Sequence, residues 1–139
     1  MRQATETLDI ATRGKGLTMF TAPVVRFVAA TGIDTGLLTV FCRHTSASLI
    51  IQENADPDVQ TDLEAYFEAV APEAPGRYVH GLEGPDDMPA HIRTALTASS
   101  LSIPVAGGRP VLGTWQGIYL FEHRARPHRR TVVLHLIGE

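Results

Sequence analysis

The chain has 139 residues, 44% of them hydrophobic and 19% charged, with a net charge of −3 when histidine is neutral. Those values describe one domain burying roughly two thirds of the surface its unfolded chain exposes, and they exclude a disordered protein. A broad cationic face for nucleic acid is excluded too, because the basic residues are scattered except between Arg124 and Arg130.

Taken in chain order, Leu8 and Ile10 alternate with Thr7, Asp9 and Ala11, which predicts a half-buried strand ending near the Gly14-Lys15-Gly16 turn. From Thr21, a proline in the first turn, Val24, Phe27 and Val28 at helical spacing, and Gly32 as a stop predict a short amphipathic helix. Leu37–Arg43 is apolar and β-preferring, and Ser48–Gln52 reads as extended again, leaving His44 near a strand end. Asp56-Pro57 opens a second helix whose apolar stripe is Val59, Leu63, Tyr66, Phe67 and Val70, closed by Pro72 and Pro75. A third, short helix starts at Met88-Pro89, with Ile92, Ala95 and Leu96 predicted to face inward.

The remainder reads as strands at Leu101–Val105, Val111–Arg124 and Thr131–Ile137. In the middle one, parity places Trp115, Tyr119, Phe121 and His123 on one face and Gln116, Ile118, Leu120 and Glu122 on the other. Large apolar residues on both faces imply a sheet held between a second sheet and helices, hence a compact single-domain α+β fold with a dominant β core. Cys42 is the only cysteine, which rules out an intramolecular disulfide and suits a reducing compartment. The N-terminus lacks an apolar signal segment, and no run approaches the roughly 20 apolar residues that span a bilayer, so a cytoplasmic chain without a membrane partner is expected.

Candidate chemistry concentrates in Tyr78–Ile92, YVHGLEGPDDMPAHI, where His80 and His91 flank Glu83, Asp86 and Asp87 in a turn-rich segment. Imidazoles and carboxylates bind divalent metals and move protons near neutral pH, and a loop can aim them inward. His44 and His123 lie in other segments, so a metal site would be assembled from distant elements; a compact His-Glu-x-x-His motif is absent. Each histidine also has an ordinary reading as a surface or core residue with one hydrogen bond. Asp87 reads equally as the cap of the third helix or as a functional carboxylate. The hydroxyl of Ser46 and the amide of Asn54 either bond a ligand or tie off turns, and Trp115 with Gln116 either lines a pocket or packs inward. Arg124, with Arg126, Arg129 and Arg130, suits a phosphate group or a solvated strand edge.

Three blocks, HTSASLIIQENADPDVQTDLE, YVHGLEGPDDMPAHI and GTWQGIYLFEHR, resemble the signature segments of the YjbQ-type family, whose members are described as secondary thiamine-phosphate synthases. The resemblance runs from the Arg13-Gly14-Lys15-Gly16 turn to Gly138-Glu139, departing at Ala98, where the family more usually has glycine. It implies a β-sandwich-like α+β domain with short helices, a homotrimer, and a cleft holding a divalent metal, zinc or magnesium. It further implies a small phosphorylated substrate: the family's assigned reaction joins hydroxymethylpyrimidine diphosphate to a thiazole phosphate and releases diphosphate. On the matching blocks, His44, His80, His91 and His123 are the family's signature histidines. The resulting expectation makes His80, His91 and His123 metal ligands and His44 a base or further ligand. Glu83, Asp86 and Asp87 then act as catalytic or orienting carboxylates, with Ser46, Asn54, Trp115, Gln116 and Arg124 on the substrate.

Overall fold

The computed structural model describes residues 1–139. Its strands are β1 (Arg2–Ala11), β2 (Gly16–Met19), β3 (Gly36–Cys42), β4 (Ala47–Glu53), β5 (Ser100–Ala106), β6 (Arg109–Pro110), β7 (Gln116–Glu122) and β8 (Arg129–Gly138). The helices are α1 (Thr21–Thr31), α2 (Pro57–Val70) and α3 (Asp87–Leu96). One antiparallel sheet has the order β1-β8-β3-β5-β6, the other β2-β7-β4. The period of two is clean in β8, where Val132, Leu134 and Leu136 are buried and the intervening residues are partly exposed. Those three meet Leu38 and Val40 of β3, Ile103 of β5, and Leu49, Ile118 and Leu120 of the smaller sheet in one apolar core.

Helix α1 closes one end of that core with Val24, Phe27 and Val28, and Gly32 ends it in the left-handed conformation (φ 71°) that glycine adopts without a Cβ penalty. In α2, Pro57 occupies the first turn and the Asp56 carboxylate accepts from the Asp58 N–H at 2.9 Å, the cap read from sequence. Strand β7 is buried on both faces: Ile118 and Leu120 join the core between the sheets, while Phe121 meets Phe67 of α2 edge-to-face at 5.3 Å. The sheet–sheet–helix layering expected from its two apolar faces is present.

Three expectations change. The predicted strand Val111–Arg124 is broken, because Gln116 turns back: its amide oxygen accepts from the Gly113 N–H at 2.7 Å while its own N–H donates to Gly113 O at 3.1 Å. The resulting turn leaves Trp115 64% exposed. The inward face of α3 is Asp87, Ala90 and Arg93, not Ile92, Ala95 and Leu96, and Leu96 is 57% exposed. A buried arginine rather than leucine docks this helix: Arg93 Nη2 donates to the Ala71 carbonyl at the end of α2, and the Thr97 hydroxyl meets Ser48 Oγ of β4 at 2.6 Å. Finally, the α2 stripe is mostly uncovered; only Phe67 is buried, with Tyr66 60% exposed.

Candidate functional site

The proline- and glycine-punctuated segment between α2 and α3 brings His80 back over the first turn of α3. There His80 Nε2 lies 2.6 Å and His91 Nε2 3.1 Å from the same oxygen, Asp87 Oδ2. Asp87 and His91 are four residues apart on one helix, the spacing that stacks side chains on a single face. One ligand atom from each of His80, Asp87 and His91 lies within 4.8 Å of the others.

Hydrogen bonding fixes how these groups present themselves. A backbone carbonyl only accepts, so the 2.9 Å contact between His91 Nδ1 and Thr45 O places a hydrogen on Nδ1. In the neutral ring Nε2 is then a bare lone pair facing a carboxylate, a contact that becomes attractive when a proton or a metal cation lies between them. Asp87 is held from behind: Arg124 Nη1 donates to its other oxygen at 2.9 Å. Burial opposes ionisation of Asp87, but the bond to His80 and the Arg124 charge, with His91 beside it, outweigh it and hold the carboxyl below its ordinary range. A ligating imidazole anchored on a carbonyl and a carboxylate anchored on arginine are the supports that metal ligands require. Were a divalent ion held there, two imidazoles and one carboxylate would suit zinc better than magnesium.

The other expected site residues lie elsewhere or act indirectly. Asp87 does not cap α3; its side chain is committed to the histidines and Arg124. Asp86 accepts from Arg124 Nε at 3.0 Å and from the Ala125 N–H at 2.8 Å, while Glu83 contributes its backbone carbonyl to Arg124 Nη2. Arg124, expected on a substrate phosphate, is therefore spent on orienting the acidic turn. Gln116 closes its own turn, and Asn54 ties that turn to β4 through Trp115 O and Thr114 O. Trp115 is exposed on the same turn.

His123 is not among the converging donors. It is fully buried, its Nε2 2.8 Å from Ser48 Oγ, and Nδ1 has no partner. Burial, reinforced by the nearby Arg93 charge, pushes its pKa down to about 3 from an ordinary 6.5. Since the unfolded chain takes up this proton first, stability is complete above about pH 6.5 and declines toward pH 3 by about 1.4 kcal/mol per unit for this one group. His123→Gln is expected to remove that slope, checked by urea unfolding across this range; an unchanged slope contradicts the assignment.

His44 also stands apart from the cluster. Its Nε2 accepts the Thr131 N–H at 2.7 Å, and burial together with the adjacent Arg130 holds the ring neutral, its pKa lowered. Beneath it lies an ion pair that sequence reasoning did not single out. Fully buried Glu122 accepts from Arg130 Nε at 2.8 Å, from Arg130 Nη2 through its second oxygen, and from the Thr12 hydroxyl at 2.7 Å. Ser46 accepts from Arg130 Nη2 at 3.1 Å. The available signal was parity: Glu122 shares the core-facing side of β7 with Ile118 and Leu120, a place that demands a buried cation.

A two-sheet α+β sandwich carrying a histidine–carboxylate cluster at the start of its third helix is the class of protein these features define. The family model described as "UPF0047 protein YjbQ-like" matches residues 6–139, and the chain belongs to that family. It is 59% identical to a UPF0047 protein of Synechocystis over 138 residues, covering 99% of this chain and 94% of that relative. Identity to YjbQ of Escherichia coli is 40% over 135 residues, covering 96% of this chain and 97% of the relative. A crystal structure of a YjbQ/UPF0047 family protein from Clostridium acetobutylicum superposes with a TM-score of 0.84 at 36% identity, covering 96% of this chain and 99% of that one. Protein TT1486 of Thermus thermophilus gives 0.85 at 32% identity, covering 95% and 99%.

Proposed function

We propose that this chain is a metal-dependent enzyme acting on a small molecule, with one zinc ion held by His80, Asp87 and His91. The supporting observation is the convergence of three donor atoms on a point where His91, its hydrogen committed to Thr45 O, turns a lone pair toward a carboxylate. When bound, such an ion supplies Lewis acidity to an oxygen-bearing substrate. The protein's own part is positioning: Arg124 holds Asp87 and Asp86, and Thr45 holds His91. In its finer form this reading takes the reaction implied by the family resemblance, the joining of hydroxymethylpyrimidine diphosphate to a thiazole phosphate with loss of diphosphate.

The test is formation of thiamine phosphate by purified protein, by chelator-treated protein and by chelator-treated protein resupplied with zinc. Turnover is expected to vanish on chelation, return with zinc, and fall about 100-fold or more in His91→Ala, since even outer-shell partners act on that scale. Turnover indifferent to both treatments sinks the proposal. Zinc-dependent cleavage of the diphosphate without coupling keeps the metal enzyme and replaces the reaction.

A homotrimer in the cytoplasm completes this reading. The uncovered stripe of α2 supports the assembly: Leu49, Ile51, Leu63, Tyr66, Leu96 and Leu101 line an open apolar groove of about 330 Å³. The lone, buried Cys42 fits a reducing compartment, and no helix is long and apolar enough to cross a membrane. Tyr66→Glu combined with Leu96→Glu is expected to convert trimer to monomer in sedimentation equilibrium; a wild-type monomer contradicts the assembly.

A further inference from the structure

Beside the histidine cluster lies a second polar feature, the open pocket of about 540 Å³ whose lining includes Arg43, His44, Thr45, Ser46 and Ser99. Behind its lining residue His44, two hydrogen-bond donors face each other. His44 Nε2 accepts the Thr131 N–H, and a backbone N–H only donates, so the ring's hydrogen resides on Nδ1. The polar contact of that nitrogen is with Arg130 Nη1, at 3.5 Å. A guanidinium only donates, so this contact pairs donor with donor and satisfies neither.

The rest of Arg130 is committed. Nε and Nη2 are occupied by Glu122 and Ser46, and the residue is only 4% exposed. A buried guanidinium nitrogen without an acceptor, converging with an imidazole N–H, lacks a group that carries lone pairs. Glu122 does not fill that role, because its oxygens are taken by Arg130, Thr12 and the N–H groups of His123 and Arg124. Arg43 at the exposed rim adds a positive charge, and Ser46 and Ser99 add hydroxyls.

We propose that His44 Nδ1–H and Arg130 Nη1, with Arg43 and the Ser46 and Ser99 hydroxyls, form an oxyanion site for the carboxylate or phosphate group of a small metabolite. Thr45 connects it to the cluster described above: its carbonyl anchors His91, and the residue lines this pocket. An anion seated here gives a substrate a second point of attachment beside the zinc ligands. That last step rests on the metal reading, whereas the anion site itself does not.

The full chain, stripped of metal with a chelator, is titrated with inorganic phosphate and separately with acetate, with sodium chloride at matched ionic strength as control. Proton–nitrogen NMR follows the His44 ring and the Arg130 side chain. A saturable shift of both groups with phosphate or acetate, absent with chloride, is expected, and the tighter anion identifies the substrate group. His44→Leu is expected to weaken binding about tenfold or more, the scale of one hydrogen bond to a charged group. His44→Gln keeps an acceptor for Thr131 and a donor for the anion, so it restores most of the affinity and separates binding from folding. No saturable shift with either anion, or affinity unaltered in His44→Leu, overturns the proposal. Binding that appears only after zinc is added and disappears in His91→Ala also overturns it, because the anion then sits on the metal and the metal reading stands alone.

Discussion

Asp87→Asn is expected to remove tight zinc binding while leaving the chain folded. The amide retains a carbonyl that can accept from Arg124 Nη1, and Arg124 also keeps its bonds to Asp86 and to Glu83 O. Its other atom is then an NH2 that only donates, and it does not replace the charged acceptor that Oδ2 offers between His80 and His91. Affinity should fall by about 100-fold or more, since outer-shell changes alone reach that scale, while one weakened charged hydrogen bond limits the stability loss to about 1.5–3 kcal/mol. Calorimetric zinc titration paired with urea unfolding separates the two effects. An Asp87→Asn variant that binds zinc as tightly as the wild type removes Asp87 from the ligand set.

The largest stability effect is expected at Glu122. Replacing it with alanine strands the guanidinium of Arg130, 4% exposed, in the interior without its counter-charge, at a cost of about 3–5 kcal/mol. Exchanging the pair together, Glu122→Leu with Arg130→Met, is expected to recover most of that loss, because two apolar side chains of similar volume need no counter-ion. The pair also bears on acid stability. Burial alone would raise the Glu122 carboxyl, yet the bonds from Arg130 and Thr12 dominate and lower it. Its contribution is therefore complete above the unfolded-state glutamate value and is lost as the pH falls through the lower folded-state value. Urea unfolding of wild type, single and double variants tests this directly. A single variant as stable as wild type would show the pair to be dispensable.

Much of the fold is legible in the residue pattern because local rules and burial agree. Asp56-Pro57 opens α2, Gly32 closes α1, and the apolar residues on both faces of β7 call for a layer on each side. The misreadings share one physical origin, in that polar side chains perform work usually given to apolar ones. Arg93 and Thr97 dock α3, so a hydrophobic stripe mispredicts its inward face; Gln116 folds back on Gly113, so β-preferring residues fail to continue a strand. Within the site, the Asp87–His91 pair is visible as residues four apart at a helix start, but the approach of His80 depends on a loop path that no periodicity encodes. Nothing local distinguishes His123 from His91: one is sealed against Ser48, the other faces a carboxylate. The Glu122–Arg130 pair was readable from strand parity, which places an acid among core residues.

The most direct measurement is anomalous X-ray diffraction from zinc-loaded crystals, with data collected on both sides of the zinc absorption edge. One anomalous peak per chain is predicted, within coordination distance of His80 Nε2, His91 Nε2 and Asp87 Oδ2 and absent in Asp87→Asn crystals grown alike. A zinc-loaded crystal with no peak between those three atoms, or with its peak on other residues, contradicts the proposed centre.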